Sequence, residues 1–364
     1  MIKLGEIRNS SVYFNSEDSF NEHILILGKS GTGKTVLAER LFLEVIKAGG
    51  TIIAIDLHHA LNADQIPKEF RKEFIEATNE IEAYDSGIPC PLFTPIQLDD
   101  QKNESSIDTV SAVTNVLAQA LQLRLRQKSV LKNAVEYVHT NHLYEERGIS
   151  ALREPLLSDS TDSAADVANK LEEVMEHNIF VDGGLFIQKN KINIIRLSQF
   201  DLKTQVTVAE IILAYIWRLA SSRGIRYEKL YVGIDEFQNL SLGNQSTIAR
   251  LLSEGRKFNT SLMLITQSLS MCFESSEQKR LMQSALQVYF RPSGNESRSI
   301  ARLLDPYNAG TWERLLRGLQ IGEFIGNGPL LVNKTRLEQP LKISSRISTT
   351  AKVPEAVKNN YLGK

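Results

Sequence analysis

Apolar residues along the chain form two kinds of pattern: short continuous runs and longer stretches with helical spacing. The runs at 24–27, 51–55 and 230–234 are bounded by glycine or polar residues, and they predict strands that are buried on both faces. Between residues 36 and 46 the apolar positions recur every three or four residues, which predicts a helix. Because a strand, a helix and a second strand follow one another here, the pattern predicts an α/β fold with a parallel sheet.

The same patterns continue through the rest of the chain. A short helix followed by a strand is expected within 66–82. Further strands are expected at 184–187, 192–196, 261–267 and 286–290, and further helices at 206–220, 246–258, 276–285, 296–304 and 310–318. The runs at 322–328 and 330–332 predict a terminal hairpin.

Helical periodicity dominates from about residue 105 to residue 177, with almost no strand pattern. This region predicts a helical subdomain inserted into the α/β core, and the polar residues beyond about 346 predict a loosely ordered tail. The predicted organisation is a discontinuous core at 1–100 and 184–346, an α-helical insertion at 101–183 and a polar C-terminal tail at 347–364.

Composition is that of a globular protein without a membrane segment. Of the 364 residues, 42% are hydrophobic and 23% are charged, and no apolar run approaches the roughly 20 residues of a membrane span. The N-terminal residues lack the apolar segment of a signal peptide, and Cys90 and Cys272 lack the spacing of metal ligands, so we expect a cytoplasmic protein. The net charge of −1 provides no overall basic field, so contact with nucleic acid must come from local patches or from several subunits together.

A P-loop pattern, consisting of Gly28, four residues, Gly33, Lys34 and Thr35, directly follows the first predicted strand and leads into the predicted helix. Glycines allow the backbone to wrap closely around a phosphate, and successive N–H groups at the helix start point at the anion. Lys34 is expected to contact the β- and γ-phosphates, and Thr35 to bind Mg²⁺. A glycine-rich turn that matches by chance is the alternative, which the strand before and the helix after disfavour. The residues predicted to bind ATP are Gly28, Lys29, Ser30, Gly31, Thr32, Gly33, Lys34 and Thr35.

Two adjacent acids end the strand predicted at 230–234. Asp235 is expected to hold Mg²⁺ through water, and Glu236 to act as the general base toward the attacking water. Acids that cap the following helix are the alternative, since strands often end in such residues. A glutamate beside the aspartate favours hydrolysis over a kinase reaction, in which the acceptor is a substrate hydroxyl. The guanine-specificity pattern is missing, because Asn333-Lys-Thr-Arg lacks its aspartate, so ATP is the expected nucleotide.

Three further polar residues are candidates for the same site. Gln267 ends the strand predicted at 261–267, where a side-chain amide can sense the γ-phosphate, although polar strand ends are also common. Arg256 ends a predicted helix, and either complements the negative helix terminus or reaches a phosphate in the same or a neighbouring subunit. Arg291, which follows the strand predicted at 286–290, is a second candidate for such an arginine finger. The sequence does not choose between the two arginines.

Six segments together carry a resemblance to a known family. They are His-Ile-Leu-Ile-Leu-Gly-Lys-Ser-Gly-Thr-Gly-Lys-Thr from His23, Ile-Asp-Leu-His from Ile55, Ile-Ile-Arg-Leu-Ser-Gln-Phe from Ile194, Ile-Asp-Glu-Phe-Gln from Ile234, Glu-Gly-Arg-Lys-Phe-Asn from Glu254 and Leu-Ile-Thr-Gln from Leu264. The chain resembles the HerA/FtsK superfamily of ATPases from about residue 21 to about residue 335, and most closely the HerA branch and the related conjugation ATPases.

The resemblance implies a RecA-like core with a helical insertion, assembled as a hexameric ring that moves double-stranded DNA through its centre, often with a nuclease or another effector. Carried over by position, it assigns phosphate and Mg²⁺ contacts to Lys34 and Thr35, the Walker B roles to Asp235 and Glu236, the sensor role to Gln267 and a nucleotide-site role to Arg256. Two features depart from the family pattern. Only about twenty residues precede the first core strand, where HerA proteins usually carry a β-barrel, and Glu22 stands where an arginine can supply an intersubunit contact.

The densest basic stretch, residues 122–128 with Lys132, is the candidate DNA contact, and a solvated helix face is the alternative. Lys279 and Arg280 with Lys257 form a second basic group. The expected function is an Mg²⁺-dependent ATPase that translocates DNA for a partner in DNA processing, in defence against foreign DNA or in conjugation. The alternatives are a motor of a conjugation or secretion apparatus and a nucleotide-gated oligomeric scaffold that organises an effector.

Overall fold

The computed structural model describes residues 1–16, 19–62, 64–99, 102–222 and 229–345. The polar tail predicted at 347–364 lies outside these residues. Within them, no helix is both long enough and apolar enough to cross a membrane. The cytoplasmic location expected from the composition stays a prediction.

Strands and helices are numbered separately along the chain. The strands are β1 (Ile2–Ile7), β2 (Ser10–Phe14), β3 (Ile24–Leu27), β4 (Thr51–Asp56), β5 (Thr78–Glu82), β6 (Ile88–Pro89), β7 (Gln97–Asp99), β8 (Lys102–Asn103), β9 (Phe180–Val181), β10 (Ile192–Arg196), β11 (Leu230–Ile234), β12 (Thr260–Thr266), β13 (Leu286–Tyr289), β14 (Glu323–Asn327), β15 (Leu330–Val332), β16 (Thr335–Leu337) and β17 (Leu341–Ser344). The α-helices are α1 (Lys34–Lys47), α2 (Arg71–Ala77), α3 (Ala83–Ser86), α4 (Ser106–Ala120), α5 (Leu125–Thr140), α6 (Leu143–Arg147), α7 (Arg153–Ser158), α8 (Asp162–Glu176), α9 (Leu202–Ser221), α10 (Thr247–Glu254), α11 (Ser275–Leu281), α12 (Gly294–Leu304) and α13 (Ala309–Gly318). Short 3-10 helices lie at Gly148–Leu152, Phe237–Asn239 and Gly255–Phe258.

Thirteen of the described strands form one sheet, in the order β16-β15-β2-β1-β17-β14-β13-β3-β12-β11-β4-β10-β5. From β13 to β5 every neighbouring pair is parallel. From β16 to β13 every neighbouring pair is antiparallel. The predicted α/β class is therefore confirmed, and the parallel half is extended by an antiparallel half that the sequence analysis did not foresee.

The central strands β3, β4, β11 and β12 are buried along their whole length. Helices cover both faces of a parallel sheet, so its strands contain continuous apolar runs rather than an alternating pattern. Burying one leucine or isoleucine side chain contributes roughly 1.5–3 kcal/mol relative to leaving it exposed. The packed hydrophobic core therefore holds the ends of these strands, and the residues that follow them, in fixed positions.

Helices α4 to α8 occupy the region in which the sequence predicts a helical insertion. Their buried side chains, including Val113, Leu131 and Leu171, belong to the same hydrophobic cluster as Ile211 of α9. The helical region therefore packs onto the α/β core and shares its hydrophobic interior. The division of the chain into a core domain and an inserted domain stays a prediction.

The strand expected at 184–187 does not form, and this expectation is wrong. The segment is a loop in which the Phe186 N–H donates to the carbonyl oxygen of Pro89 at 2.8 Å. Gly184 has a φ of 106°, which ends any extended conformation at the start of the segment. Phe186 and Ile187 are buried in the main hydrophobic cluster without strand pairing.

The hairpin expected from the runs at 322–328 and 330–332 is also wrong. Both runs contain a strand, but β13 and β17 occupy the two edges of β14, so no edge is left for β15. β15 pairs with β2 and β16 instead. Strands β2, β1 and β17 therefore lie between β15 and β14 in the sheet, although β14 and β15 follow one another in the sequence.

Candidate active site

Three segments that the sequence singled out meet at one edge of the sheet. Strands β3, β12 and β11 are parallel neighbours, so their carboxyl ends lie at the same edge. The P-loop follows β3, Asp235 and Glu236 follow β11, and Gln267 follows β12. The fold therefore brings the P-loop together with residues that follow it by 200 positions or more in the sequence.

Two positions in the P-loop require glycine. A side-chain carbon at Gly28 would lie 2.5 Å from Cβ of Phe290, so this position admits no side chain. Gly33 has a φ of 107°, in the left-handed region, immediately before α1 begins at Lys34. The first N–H groups of a helix lack acceptors within the helix. Those of α1 can therefore bind an anion, which the positive end of the helix dipole also attracts.

The side chain of Lys34 lies within the loop and is only 6% exposed. Its Nζ donates to the carbonyl oxygen of Lys29 at 3.1 Å, and Thr32 Oγ1 donates to the same oxygen at 2.7 Å. Burial lowers the pKa of Lys34, and the negative charges of Asp235 and Glu236 oppose that shift. The ammonium group is thus held between the P-loop backbone and the acids that follow β11.

Thr35 and Asp235 form a candidate metal site. Thr35 Oγ1 and Asp235 Oδ2 are 3.4 Å apart, and Asp235 Oδ1 accepts a hydrogen bond from the Glu236 N–H at 2.9 Å. Burial, together with the charge of Glu236, raises the pKa of Asp235 to about 6. A hydroxyl and a carboxylate are the hard oxygen ligands that Mg²⁺ prefers, and a cation here would offset the repulsion between the two acids. The residues present therefore fit Mg²⁺.

Two side-chain amides hold the carboxylate of Glu236. Gln267 Nε2 donates to Oε1 at 2.7 Å, and Gln238 Nε2 donates to Oε2. Glu236 also has a φ of 50°, which is strained for a residue with a side chain and is found where the surroundings hold it in place. Gln267 is among the residues predicted from the sequence, whereas Gln238 is not. Gln238 is the last residue of the segment Ile-Asp-Glu-Phe-Gln, but an amide two positions after an acidic pair is common in loops and does not by itself indicate a role.

The two candidate arginines lie at opposite ends of the parallel strands, Arg291 at the carboxyl ends and Arg256 at the amino ends. Arg291 follows β13, and its carbonyl oxygen accepts a hydrogen bond from the Lys29 N–H at 3.1 Å, so its exposed side chain begins beside the P-loop. Arg256 lies in the 3-10 helix that precedes β12, at the far end of that seven-residue strand. A strand of this length spans about 23 Å. This separation disfavours contact between Arg256 and a phosphate of its own subunit, which is one of the alternatives left by the sequence.

Local packing explains the residues around Arg256. A side-chain carbon at Gly255 would overlap the carbonyl oxygen of Thr260, so the turn that carries Arg256 requires glycine. The guanidinium is exposed, and its Nη1 donates to the carbonyl oxygen of Phe20 at 2.9 Å. The Phe20 side chain is itself 91% exposed. The exposed guanidinium thus contacts the backbone of a residue whose apolar side chain is also exposed, at the edge opposite the P-loop.

Glu39, on α1, is an acid that the sequence analysis missed. Its side chain is 1% exposed, and among the described residues its Oε2 has no hydrogen-bond partner. Burial, and to a smaller extent the charge of Asp235, raise the pKa of Glu39 to about 8. The carboxyl group is therefore protonated at neutral pH in the folded protein. Helical periodicity places apolar residues on the inner face of α1, and it gives no sign that an acid shares that face.

Glu39 should make the folded state less stable as the pH rises. Its pKa is about 8 in the folded protein against an ordinary value of 4.5, so between these values the folded state binds one more proton than the unfolded state. The free energy of unfolding should therefore fall by about 1.4 kcal/mol per pH unit through this group. Glu39→Gln should remove this slope, which urea unfolding between about pH 5 and pH 8 in a chelator would measure.

The difference between wild type and Glu39→Gln isolates this one group. Burial also raises the pKa of Glu210, to about 7, but Glu210 titrates in both proteins and cancels in the comparison. A pH-independent cost of the buried amide would shift the whole curve and leave its slope unchanged. Parallel stability curves for the two proteins would show that Glu39 is ionised in the folded state, against the prediction.

The sequence also matches known proteins. Residues 2–216 match the family model described as helicase HerA, central domain. The chain is 24% identical over 298 residues to the DNA double-strand break repair helicase HerA of Saccharolobus solfataricus, which covers 73% of this chain and 54% of the relative. The protein of the same name from Sulfolobus acidocaldarius is 22% identical over 299 residues, with 73% and 55% covered. The chain thus spans about half the length of the curated relatives it matches.

Solved structures share the fold. The structure of VirB4 of Thermoanaerobacter pseudethanolicus matches with a TM-score of 0.66 at 18% identity, over 96% of each chain. The plasmid coupling protein TrwB in complex with ADP and Mg²⁺ matches with a TM-score of 0.58 at 14% identity, over 90% of this chain and 86% of that one. The predicted RecA-like P-loop core is confirmed by these likenesses. Since the family model matches more than half of its residues, the chain belongs to the HerA family of P-loop ATPases.

Proposed function

We propose that this chain hydrolyses ATP to drive a ring-shaped motor that moves double-stranded DNA. The observation that carries the proposal is the position of Glu236, whose carboxylate is held at the edge that also carries Lys34, Thr35 and Asp235. A general base, a phosphate-binding lysine and a metal site are the groups that hydrolysis of a nucleoside triphosphate requires. DNA as the substrate is supported by the relatives, which are named DNA double-strand break repair helicases.

In the proposed reaction, water attacks the γ-phosphorus of ATP in line with the bond to the β–γ bridging oxygen. Glu236 accepts a proton from this water, the bond from phosphorus to the bridging oxygen breaks, and ADP leaves with the electron pair. Lys34 and the first N–H groups of α1 balance the negative charge of the phosphates. The amide of Gln267 contacts the Glu236 carboxylate, so it is placed to connect the presence of a γ-phosphate with the position of the base.

Thr35 and Asp235 are the proposed ligands of Mg²⁺. The Thr35 hydroxyl would hold the ion directly, and the Asp235 carboxylate would hold it through a water molecule. The ion would neutralise charge on the β- and γ-phosphates and on the departing ADP. A protein of the same fold, TrwB, has been solved with ADP and Mg²⁺, which supports ATP and Mg²⁺ as the ligands here.

A homo-oligomeric ring gives Arg256 a role that a single subunit does not. Arg256 lies at the edge of the sheet away from its own P-loop, and head-to-tail contacts between identical subunits close into rings. In such a ring this edge of one subunit faces the P-loop edge of the next, where Arg256 would stabilise transition-state charge as an arginine finger. We take the ring to be a hexamer.

DNA would pass through the centre of the ring, where a few cations per subunit suffice because six copies contact the phosphates together. The candidate contacts are Arg124, Arg126, Lys128 and Lys132, which are exposed at and after the start of α5. In the second basic group, Arg280 is engaged in hydrogen bonds to the loop after β11. This engagement favours the group on α5.

The motor would serve a nuclease or another effector in DNA processing or in defence against foreign DNA. A motor of a conjugation or secretion apparatus is the second candidate, favoured by the likeness of the fold to VirB4 and TrwB. A membrane-bound or surface-bound partner would distinguish this second candidate from the first.

The test is ATP hydrolysis with and without linear double-stranded DNA, on protein whose mass in solution has been determined. We expect a hexamer whose hydrolysis needs Mg²⁺, stops in chelator and rises several-fold with DNA. Lys34→Ala is the control for contaminating activity, because it removes the phosphate-binding ammonium. Slow hydrolysis that ignores DNA would favour a nucleotide-gated scaffold, and a hexamer with no hydrolysis in either condition would contradict the proposed motor.

A further inference from the structure

Gln238 makes two hydrogen bonds in the centre of the candidate site, although neither phosphate binding nor metal binding requires it. Its Nε2 donates to Glu236 Oε2, and its Oε1 accepts a hydrogen bond from Thr266 Oγ1 at 2.8 Å. We propose that Gln238 is a positioning residue that keeps the Glu236 carboxylate in place when Gln267 turns to the γ-phosphate. This inference rests on the proposed ATP hydrolysis and adds a residue to its machinery.

The hydroxyl of Thr266 determines which way the Gln238 amide faces. Thr266 is fully buried, and its Oγ1 is 2.8 Å from Gln238 Oε1 but 3.4 Å from the carbonyl oxygen of Ser268. The single hydroxyl proton therefore goes to Gln238, and the amide oxygen faces the threonine. The NH₂ group then faces Glu236, as it must, because an ionised carboxylate only accepts hydrogen bonds.

Thr266 also connects this amide with the P-loop. The Thr266 carbonyl oxygen accepts a hydrogen bond from the Gly28 N–H at 3.3 Å, and the strand β12 that carries it is buried throughout. Gln238 is thus anchored to a residue that contacts the first glycine of the phosphate-binding loop. The short 3-10 helix after β11 carries Gln238, and the bond to Thr266 ties its amide to a strand of the sheet.

The two amides on Glu236 differ in how firmly they are held. The Gln267 side chain is exposed, and its bond to Glu236 is its one hydrogen bond within the described part of the chain. Gln238 is half-buried and is bonded at both ends of its amide. Phosphate oxygens offer new acceptors to Gln267, so it can exchange partners while Gln238 keeps its own. A carboxylate has about four lone-pair sites, so Glu236 can accept from water while Gln238 holds it.

Gln238→Met tests the inference, because methionine is similar in length and shape but lacks the amide. We expect kcat for ATP hydrolysis to fall by about 10- to 100-fold, the loss that a small misplacement of a catalytic group produces. The KM for ATP and the Kd for a fluorescent ATP analogue should stay within about twofold of wild type, because the P-loop contacts are untouched. Gln245→Met is the matched control, since Gln245 is an exposed amide of the same loop, and it should leave both constants unchanged.

A second pair of variants tests the route through Thr266. Thr266→Val removes the hydroxyl at nearly constant volume and should reproduce part of the loss in kcat. Thr266→Ser keeps the hydroxyl, so its kcat should match that of wild type. In Gln238→Met/Thr266→Val the two losses should not add, because both act through one hydrogen-bond chain. Wild-type kcat in Gln238→Met, or a raised KM with unchanged kcat, would overturn the inference. A wild-type protein without hydrolysis would instead refute the proposed function on which it rests.

Discussion

Replacing Glu236 by glutamine is expected to abolish ATP turnover while leaving ATP binding intact. The amide keeps the size of the side chain but cannot accept a proton from the attacking water. A general base contributes about 10²–10⁴-fold to a rate, so kcat should fall by at least about 10²-fold. The Kd for a fluorescent ATP analogue should match that of wild type, because Lys34 and the backbone of the P-loop are unchanged. Steady-state phosphate release and titration of the analogue measure the two quantities separately.

Lys34→Ala should have the complementary effect, since it should lose ATP binding, whereas Glu236→Gln should retain it. Lys34→Ala keeps the base but removes the ammonium that lies between the Lys29 carbonyl oxygen and the two acids, so nucleotide binding itself should be lost. Turnover in Glu236→Gln equal to that of wild type would remove Glu236 as the base. Retained affinity in Lys34→Ala would contradict the phosphate-binding role of the loop.

Much of the parallel core and the outline of its site could be predicted from the sequence, because their signals are local. The strand, the glycines and the helix around Lys34 are contiguous, and so are the apolar strand and the two acids that end with Glu236. Each pattern predicts the structure of a short segment, and that structure depends on the residues within the segment. Because parallel strands align their carboxyl ends, the predicted strands also predict that Gln267 lies near the P-loop and near the two acids.

The rest depends on contacts between distant parts of the chain. Whether β15 pairs with β14 or with β2 is decided by which edges of β14 are already occupied, and no local pattern contains that information. Glu39 occupies an interior position on a helix whose periodicity only marks apolar residues. Gln238 becomes informative only once Thr266 and Glu236 are seen on either side of it.

Arg256 illustrates the same limit for function. Its segment is recognisable in the sequence, yet the choice between a contact in the same subunit and one in a neighbour requires knowing on which edge of the sheet it lies. The 3-10 helix that carries it precedes β12, whereas the P-loop follows β3, a parallel neighbour of β12. Arg256 and the P-loop of one subunit are separated by the length of β12, so we expect any action of Arg256 on a nucleotide to cross a subunit boundary.

Arg256→Ala should therefore lower kcat by about 10³–10⁵-fold, the range for loss of an arginine finger, without weakening ATP binding by its own subunit. Mixing Arg256→Ala subunits with Glu236→Gln subunits should restore hydrolysis, although each variant alone is nearly inactive. In mixed rings, an Arg256→Ala subunit retains its own base and P-loop and receives the missing arginine from a Glu236→Gln neighbour. Hydrolysis rates measured across mixing ratios at constant total protein test this recovery.

Arg291→Ala mixed with Glu236→Gln is the matched control, because the backbone of Arg291 lies beside the P-loop of its own subunit, and an arginine that acts on its own site would not be replaced by a neighbour. Recovery with Arg256→Ala and none with Arg291→Ala would place Arg256 in the neighbouring site. Full activity of Arg256→Ala alone would move the finger role to Arg291. A loss in Arg256→Ala that mixing never recovers would mean that the residue supports its own subunit, and that the opposite edge of the sheet does not complete the next active site.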